Sequence, residues 1–184
     1  MARIRGTTGN DTRNGTQFAD EIDGLAGNDH LSGLGGNDEI DGDAGNDRLF
    51  GGDGYDELQG DGGNDRLFGG AGNDDLDGDN GNDILFGGKG NDMIDGGSGD
   101  DRLSGGVGSD VFEFDFNDGR DVITDFTNGQ DRIHLDDMSR SQVNAVTNGA
   151  EQSGDNIVLT LSAGNVITIN NMQLSQLTEA DFLF

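Results

Sequence analysis

Aspartate stands at every ninth position across one long stretch of this 184-residue chain: Asp11, Asp20, Asp29, Asp38, Asp47, Asp56, Asp65, Asp74, Asp83, Asp92, Asp101 and Asp110. In these twelve occurrences neither asparagine nor serine replaces it. One reading is local, with each carboxylate closing an Asx turn on its own backbone. The other is ligation. The residues just before each aspartate are mostly glycine, so the stretch offers carboxylate and carbonyl oxygen with no recurring nitrogen or sulfur donor. Six or more oxygens in a flexible frame suit Ca2+, whereas magnesium demands a tight octahedron and zinc takes cysteine or histidine. Cysteine is absent, and the two histidines, His30 and His134, stand apart as ordinary exposed polar residues.

The elements that position these carboxylates follow from the same interval. Counted in nines from Gly6, twelve units run without insertion to Glu113. The first position is always glycine, the fourth is glycine except at Phe18, and the eighth is Ile, Leu or Phe except at Arg13. Each unit therefore reads as six turn residues and three strand residues, of which only the middle one points inward. One inward side chain per unit cannot be hidden alone, so the units must stack as a solenoid. A longer period sets the stacking. Phe50, Phe68 and Phe86 close odd units where Asp41, Asp77 and Asp95 close even ones, and Arg48, Arg66 and Arg102 alternate with Glu39, Glu57 and Asp75 two positions earlier. Neighbours in space are thus 18 residues apart, and one coil is turn, strand, turn, strand. With strands about 4.8 Å apart, the aspartates form two carboxylate ladders. Adjacent rungs repel by roughly 1 kcal/mol in water and about 3 kcal/mol at an effective dielectric of 20. Bound cations reverse that sign. Six rungs on each edge leave room for up to about ten ions. The asparagines at position five, such as Asn46 and Asn64, read as residues tolerant of left-handed backbone.

Units such as "GGAGNDDLD", "GGKGNDMID" and "GGSGDDRLS" resemble the glycine-and-aspartate nonapeptide of the RTX (repeats-in-toxin) family. The resemblance covers residues 6–113 and implies an all-β fold, a right-handed parallel β-roll with calcium in its turns, exported by a type I secretion system. It also implies that backbone carbonyls complete each ion's shell. In units four to seven these belong to Gly33, Leu34, Gly35 and Gly36, to Gly42, Asp43, Ala44 and Gly45, to Gly51, Gly52, Asp53 and Gly54, and to Gly60, Asp61, Gly62 and Gly63. In units eight to eleven they belong to Gly69, Gly70, Ala71 and Gly72, to Gly78, Asp79, Asn80 and Gly81, to Gly87, Gly88, Lys89 and Gly90, and to Gly96, Gly97, Ser98 and Gly99. The first two units, with Arg13, Phe18 and Ala19 at odds with the pattern, suit a cap better than a site.

Composition narrows the partners. Thirty-seven acidic residues against ten basic ones give a formal net charge of −27, which disfavours nucleic acid and anionic membrane surfaces. No apolar run is long enough to span a membrane, and "MARIRGTTGND" lacks the apolar core of a cleaved signal.

Residues 1–113 thus read as the roll and residues 114–184 as a capping flank. In the flank Val122, Ile123, Phe126, Ile133 and Leu135 could cover the open end. "NIVLTLSAGNVITINN" reads as a β-hairpin, and Asp181 to Phe184 resembles the ending of an uncleaved type I signal. Met1, five residues before the first unit, suits a whole gene product. No H-E-x-x-H, G-x-S-x-G or P-loop is present, so the expectation is a non-enzyme.

Three functional readings arise, the first of them the expectation and the other two its alternatives. One is a secreted calcium-binding roll that folds outside the cell. Another is the export and folding module of a secreted protease, lipase or alginate epimerase. The third is an adhesin that grips an acidic polysaccharide through Arg48, Arg66 and Arg102 beside Phe50, Phe68 and Phe86. Against the third, these phenylalanines could be covered by the flank or by a second copy, with the arginines paired to acids. For the ladder, Asp65→Ala is expected to disturb two adjacent sites, and Asp137→Ala none.

Overall fold

The computed structural model describes residues 1–136 and 138–183. Two sheets face each other around a parallel β-roll of about seven coils, and successive strands of a sheet come from successive coils. The first sheet orders Arg3–Arg5, Glu21–Asp23, Glu39–Asp41, Glu57–Gln59, Asp75–Asp77, Met93–Asp95, Val111–Phe114, Arg132–Leu135 and Phe182–Leu183. The second orders Thr12–Asn14, His30–Gly35, Arg48–Asp53, Arg66–Ala71, Ile84–Lys89, Arg102–Val107, Arg120–Ile123, Asn165–Ile169, Asn156–Ser162 and Glu151–Ser153. Within the repeats every pairing is parallel with an 18-residue offset, such as Leu49 opposite Leu67 and Ile40 opposite Leu58.

The eighth position of units two to twelve supplies the core. Ile22, Leu31, Ile40, Leu49, Leu58, Leu67, Leu76, Leu85, Ile94, Leu103 and Phe112 are all fully buried, as two facing columns. Arg13, which holds the same slot in the first unit, lies opposite Leu31 and pairs with Asp11 at 2.6 Å, ending the column with a charge. The strands of the two sheets differ in length. Those of the first sheet's repeats have three residues, while those of the second run on for three more into the next turn. In that turn the second position is glycine at Gly52, Gly70 and Gly88, with φ near 116°, whereas the opposite turn has Asp43, Asp61 and Asp79 at φ near 62°.

The nine-residue register ends at Glu113, but the sheets do not. Arg120–Ile123 pairs with Arg102–Val107, and Arg132–Leu135 with Val111–Phe114, so Ile123, Phe126, Ile133 and Leu135 prolong the core. The hairpin forms as Asn156–Ser162 against Asn165–Ile169, whose second arm docks parallel on Arg120–Ile123. A helix, Arg140–Asn148, has no clear signal in the sequence and contributes only Val143 and Val146 as buried residues. Phe182, buried, ends the first sheet opposite Ile133. Among the described residues no helix is long and apolar enough to cross a membrane.

Candidate metal centre: two carboxylate ladders

Stacking brings the twelve repeated aspartates into two columns, one along each edge. From Asp29 and Asp38 onward each carboxylate is bound by the rung before it, because the backbone N–H of one aspartate donates to Oδ1 of the aspartate 18 residues on. These bonds measure 2.6–3.0 Å from Asp11→Asp29 through Asp92→Asp110. The local Asx-turn reading fails for this oxygen, which serves the neighbouring coil rather than its own turn. Both ladders also extend one rung beyond the repeats. The Asp101 N–H donates to Asp121 at 3.1 Å and the Asp110 N–H to Asp131 at 3.1 Å, across separations of 20 and 21 residues.

The second oxygen divides the aspartates. Oδ2 of Asp29, Asp47, Asp65, Asp83 and Asp101 on one edge, and of Asp38, Asp56, Asp74, Asp92 and Asp110 on the other, is buried and accepts no hydrogen bond. An unpartnered buried acceptor costs about 1–3 kcal/mol, and more when charged. At the ends of the ladders the same atom is satisfied. Asp11 Oδ2 accepts from Thr7 N and Oγ1 at 2.6 and 2.8 Å, Asp20 Oδ2 from the same atoms of Thr16 at 2.6 and 2.8 Å, and Asp131 Oδ2 from Thr127 N at 2.7 Å. Threonine at the second position of the first two units thus puts its own donors where the interior coils have none.

Backbone oxygen converges on the orphaned atoms. A Cβ built on Gly60 would sit 2.9 Å from Asp65 Oδ2 and 2.9 Å from the Gly78 carbonyl, and one on Gly24 would sit 2.8 Å from both Asp29 Oδ2 and the Gly42 carbonyl. The missing side chain therefore leaves a gap lined by carboxylate and carbonyl oxygen. Among the described residues, the carbonyls of Gly42, Gly60 and Gly78 at position one, and of Gly45 and Gly63 at position four, accept no backbone hydrogen bond. Those at positions two and three of this edge each already take one, as when Ala44 N donates to Leu25 at 3.0 Å and Gly45 N to Gly62 at 2.8 Å. Position four must itself be glycine. Gly45 and Gly63 have φ of 150° and 145°, and a Cβ there would overlap the carbonyl oxygen of the coil before.

Burial sets the electrostatics of the ladders. Loss of hydration, reinforced by neighbouring carboxylates, pushes Asp101 up to about 8, Asp65 and Asp74 to about 7, and Asp47, Asp56, Asp83 and Asp110 to about 6. Asp11 moves the other way, held down by the Thr7 hydroxyl and N–H, and so does Asp20, held down chiefly by the Ala2 N–H. A carboxylate raised above its unfolded value of about 3.9 binds more protons when folded, so it stabilises the fold at low pH and loses that contribution as pH rises through 6 to 8. In chelator, lowering the pH from 8 to 5 is therefore expected to increase the β-sheet circular dichroism of the chain. An unchanged or weaker signal at pH 5 would contradict the protonation pattern.

Two other expectations are corrected. The position-five asparagines do not adopt left-handed backbone. Their Oδ1 atoms accept backbone N–H groups 18 residues on, Asn28 from Asn46 at 3.0 Å and Asn46 from Asn64 at 2.7 Å, which makes a third, uncharged ladder. The flank does not cover the phenylalanines. Phe50, Phe68 and Phe86 stack on one another at 4.9 and 5.3 Å on the outer face of the second sheet, and Phe86 is exposed. The histidines stay apart from the ladders: His30 packs against Phe50 and His134 Nδ1 lies 2.6 Å from Glu113 Oε1.

A two-sheet parallel roll with oxygen-lined gaps between its turns defines a class of repeat protein built to hold hard cations. The model for the RTX calcium-binding nonapeptide repeat (4 copies) matches residues 14–49, 41–76 and 77–112, and the chain belongs to that family. No curated protein matches it. Among solved structures, the crystal structure of the extracellular lipase LipA from Serratia marcescens superposes with a TM-score of 0.52 at 21% identity, covering 99% of this chain and 40% of the lipase. The chain thus spans less than half of that protein's length, and what is shared is the fold. The solution structure of the AlgE6R3 subunit of the Azotobacter vinelandii mannuronan C5-epimerase aligns over 97% of this chain and 80% of its own, at 20% identity and a TM-score of 0.30.

Proposed function

We propose that this chain is a secreted, non-catalytic roll whose folding is driven by calcium outside the cell. The observation that carries the reading is the set of ten buried aspartate Oδ2 atoms that, among the described residues, have no hydrogen-bond donor, five on each edge. A hard cation between successive turns satisfies each of them and cancels the repulsion along the ladder. Asp29, Asp47, Asp65, Asp83 and Asp101 would hold ions on one edge and Asp38, Asp56, Asp74, Asp92 and Asp110 on the other, with glycine carbonyls completing the shells. Asp11 and Asp20, already bonded by threonine, would serve as metal-free caps.

Extracellular calcium modules bind at about 10⁻⁴ to 10⁻³ M, so cytosolic calcium leaves such sites empty. At tenfold over its Kd each ion contributes about 1.4 kcal/mol, and several act together. The chain would then cross a type I export channel unfolded and fold on arrival. Burial of Asp181 and Phe182 at the end of the first sheet is compatible with a terminal signal that is accessible only before folding; Phe184 lies outside the described residues. A calcium titration followed by circular dichroism tests the reading. A cooperative gain of β signal is expected between about 10⁻⁴ and 10⁻² M calcium, with none from equimolar magnesium. A chain equally structured in chelator would overturn it.

A further inference from the structure

The outer face of the second sheet carries a groove that the calcium reading does not use. It is about 530 Å³ in volume and runs along the roll axis between the asparagine ladder and the column formed by position seven of the odd units. One wall is Asn28, Asn46 and Asn64, and the other is His30, Arg48 and Arg66, all exposed.

Two features make this a donor surface. The Oδ1 atoms of Asn28, Asn46 and Asn64 are each occupied by the backbone N–H of the next coil, at 3.0, 2.7 and 2.8 Å, which turns the amide Nδ2 donors outward. Among the described residues Arg48 and Arg66 make no ion pair, in a chain of net charge −27. They are direct neighbours across adjacent parallel strands, an arrangement of like charges that costs stability unless an anion lies between or above them. The Arg48 and Arg66 rungs thus each offer an amide and a cation at a pitch of about 4.8 Å, and the His30 rung an amide and an imidazole. Asp29 and Asp47 also line the groove, but their Oδ1 atoms already accept backbone N–H, from Asp11 and Asp29, and their Oδ2 atoms are buried. Beside the arginine column runs the stack of Phe50 and Phe68, whose near-parallel rings, tilted by only 5°, face each other and so present their edges outward as an apolar rail.

We infer that this face binds an extended acidic polysaccharide, with sugar hydroxyls and carboxylates accepting from the asparagine and arginine donors while ring C–H groups rest on the phenylalanine rail. A regular polymer suits a regular row of donors better than a peptide of mixed side chains does. A nucleic acid would bring a denser line of phosphates toward a strongly acidic body. The inference rests on the roll being folded, and therefore on the calcium reading.

The test is calorimetric titration of the full chain, in calcium sufficient to fold it, with a six-ring galacturonate oligomer too short to gel. Circular dichroism is recorded on the same samples. Binding is expected, weakening steeply with added salt. The double variant Arg48→Ala/Arg66→Ala is expected to lose at least tenfold in affinity with a calcium midpoint no higher than that of the unaltered chain, because it removes a like-charge pair. Arg3→Ala/Arg5→Ala, an equal change in net charge away from the groove, is expected to bind as before. Absence of binding by the folded chain, equal losses in both double variants, equal binding of a neutral glucan, or tighter binding of a DNA duplex would each overturn the inference. A missing calcium-dependent β signal would instead overturn the preceding reading.

Discussion

Gly63→Ala is expected to keep the roll from folding at any calcium concentration, while Gly62→Ala, one residue earlier, leaves it nearly unaffected. Gly63 has φ of 145°, and a Cβ there would overlap the Gly45 carbonyl oxygen. That oxygen belongs to a backbone held between two coils, so neither partner can move without opening the stack. Backbone strain alone costs about 1–3 kcal/mol in such regions, and the overlap adds to it. Gly62 has an ordinary φ, and nothing lies within 4 Å of its hypothetical Cβ. Replacing it by alanine also lowers the entropy of the unfolded chain, which can stabilise by about 0.4–1 kcal/mol. Circular dichroism at saturating calcium separates the two variants. Similar behaviour would mean that the turns are not packed as described.

Asp65→Ala is expected to raise the calcium midpoint for folding roughly twofold or more, and Asp65→Asn by less. Asp65 has two separate tasks. Its Oδ1 accepts from Asp47 N at 2.7 Å, and its Oδ2 is one of the orphaned atoms. Alanine strands the buried Asp47 N–H at a cost of about 1–3 kcal/mol and removes a ligand as well. Asparagine keeps an acceptor for that N–H but puts an NH2 donor where Oδ2 stood, so it removes the charge and the ligand without stranding the N–H, and the difference between the two variants measures the structural part. Asp137 lies outside the described residues, so the control is Asp155→Ala, at an exposed turn of the flank. Asp11→Ala is expected to leave the midpoint near that control, because Thr7 already satisfies its carboxylate. A midpoint for Asp65→Ala equal to that of Asp155→Ala would remove the ladder from the account.

Much of the roll was legible because its causes are local and reiterated. One inward residue per nine forces stacking, and the alternation of Phe50, Phe68 and Phe86 with Asp41, Asp77 and Asp95 fixes the coil at 18 residues. Features that depend on contact between coils were not legible in the same way. The asparagine ladder joins residues 18 apart through side chain and backbone, and local propensity explains Asn46 and Asn64 equally well by another route. Insertions of two and three residues before Asp121 and Asp131 break the nine-residue register, although "NDGRDVI" and "TNGQDRI" keep the glycine, aspartate and aliphatic spacing that makes them the last two rungs. The threonine caps also left a signal, since Thr7 and Thr16 each stand four residues before their aspartate where interior units carry other residues. The helix Arg140–Asn148 left little trace, with only two of its nine residues buried.

The most direct test of the central claim is a crystal structure of the chain grown in calcium and phased so that anomalous scattering marks the ions. The account predicts density about 2.3–2.6 Å from Oδ2 of interior aspartates on both edges, bounded by glycine carbonyls from adjacent turns, with none at Asp11 or Asp20. Interior Oδ2 atoms hydrogen-bonded to water or to donors from the protein, with no ion beside them, would contradict it.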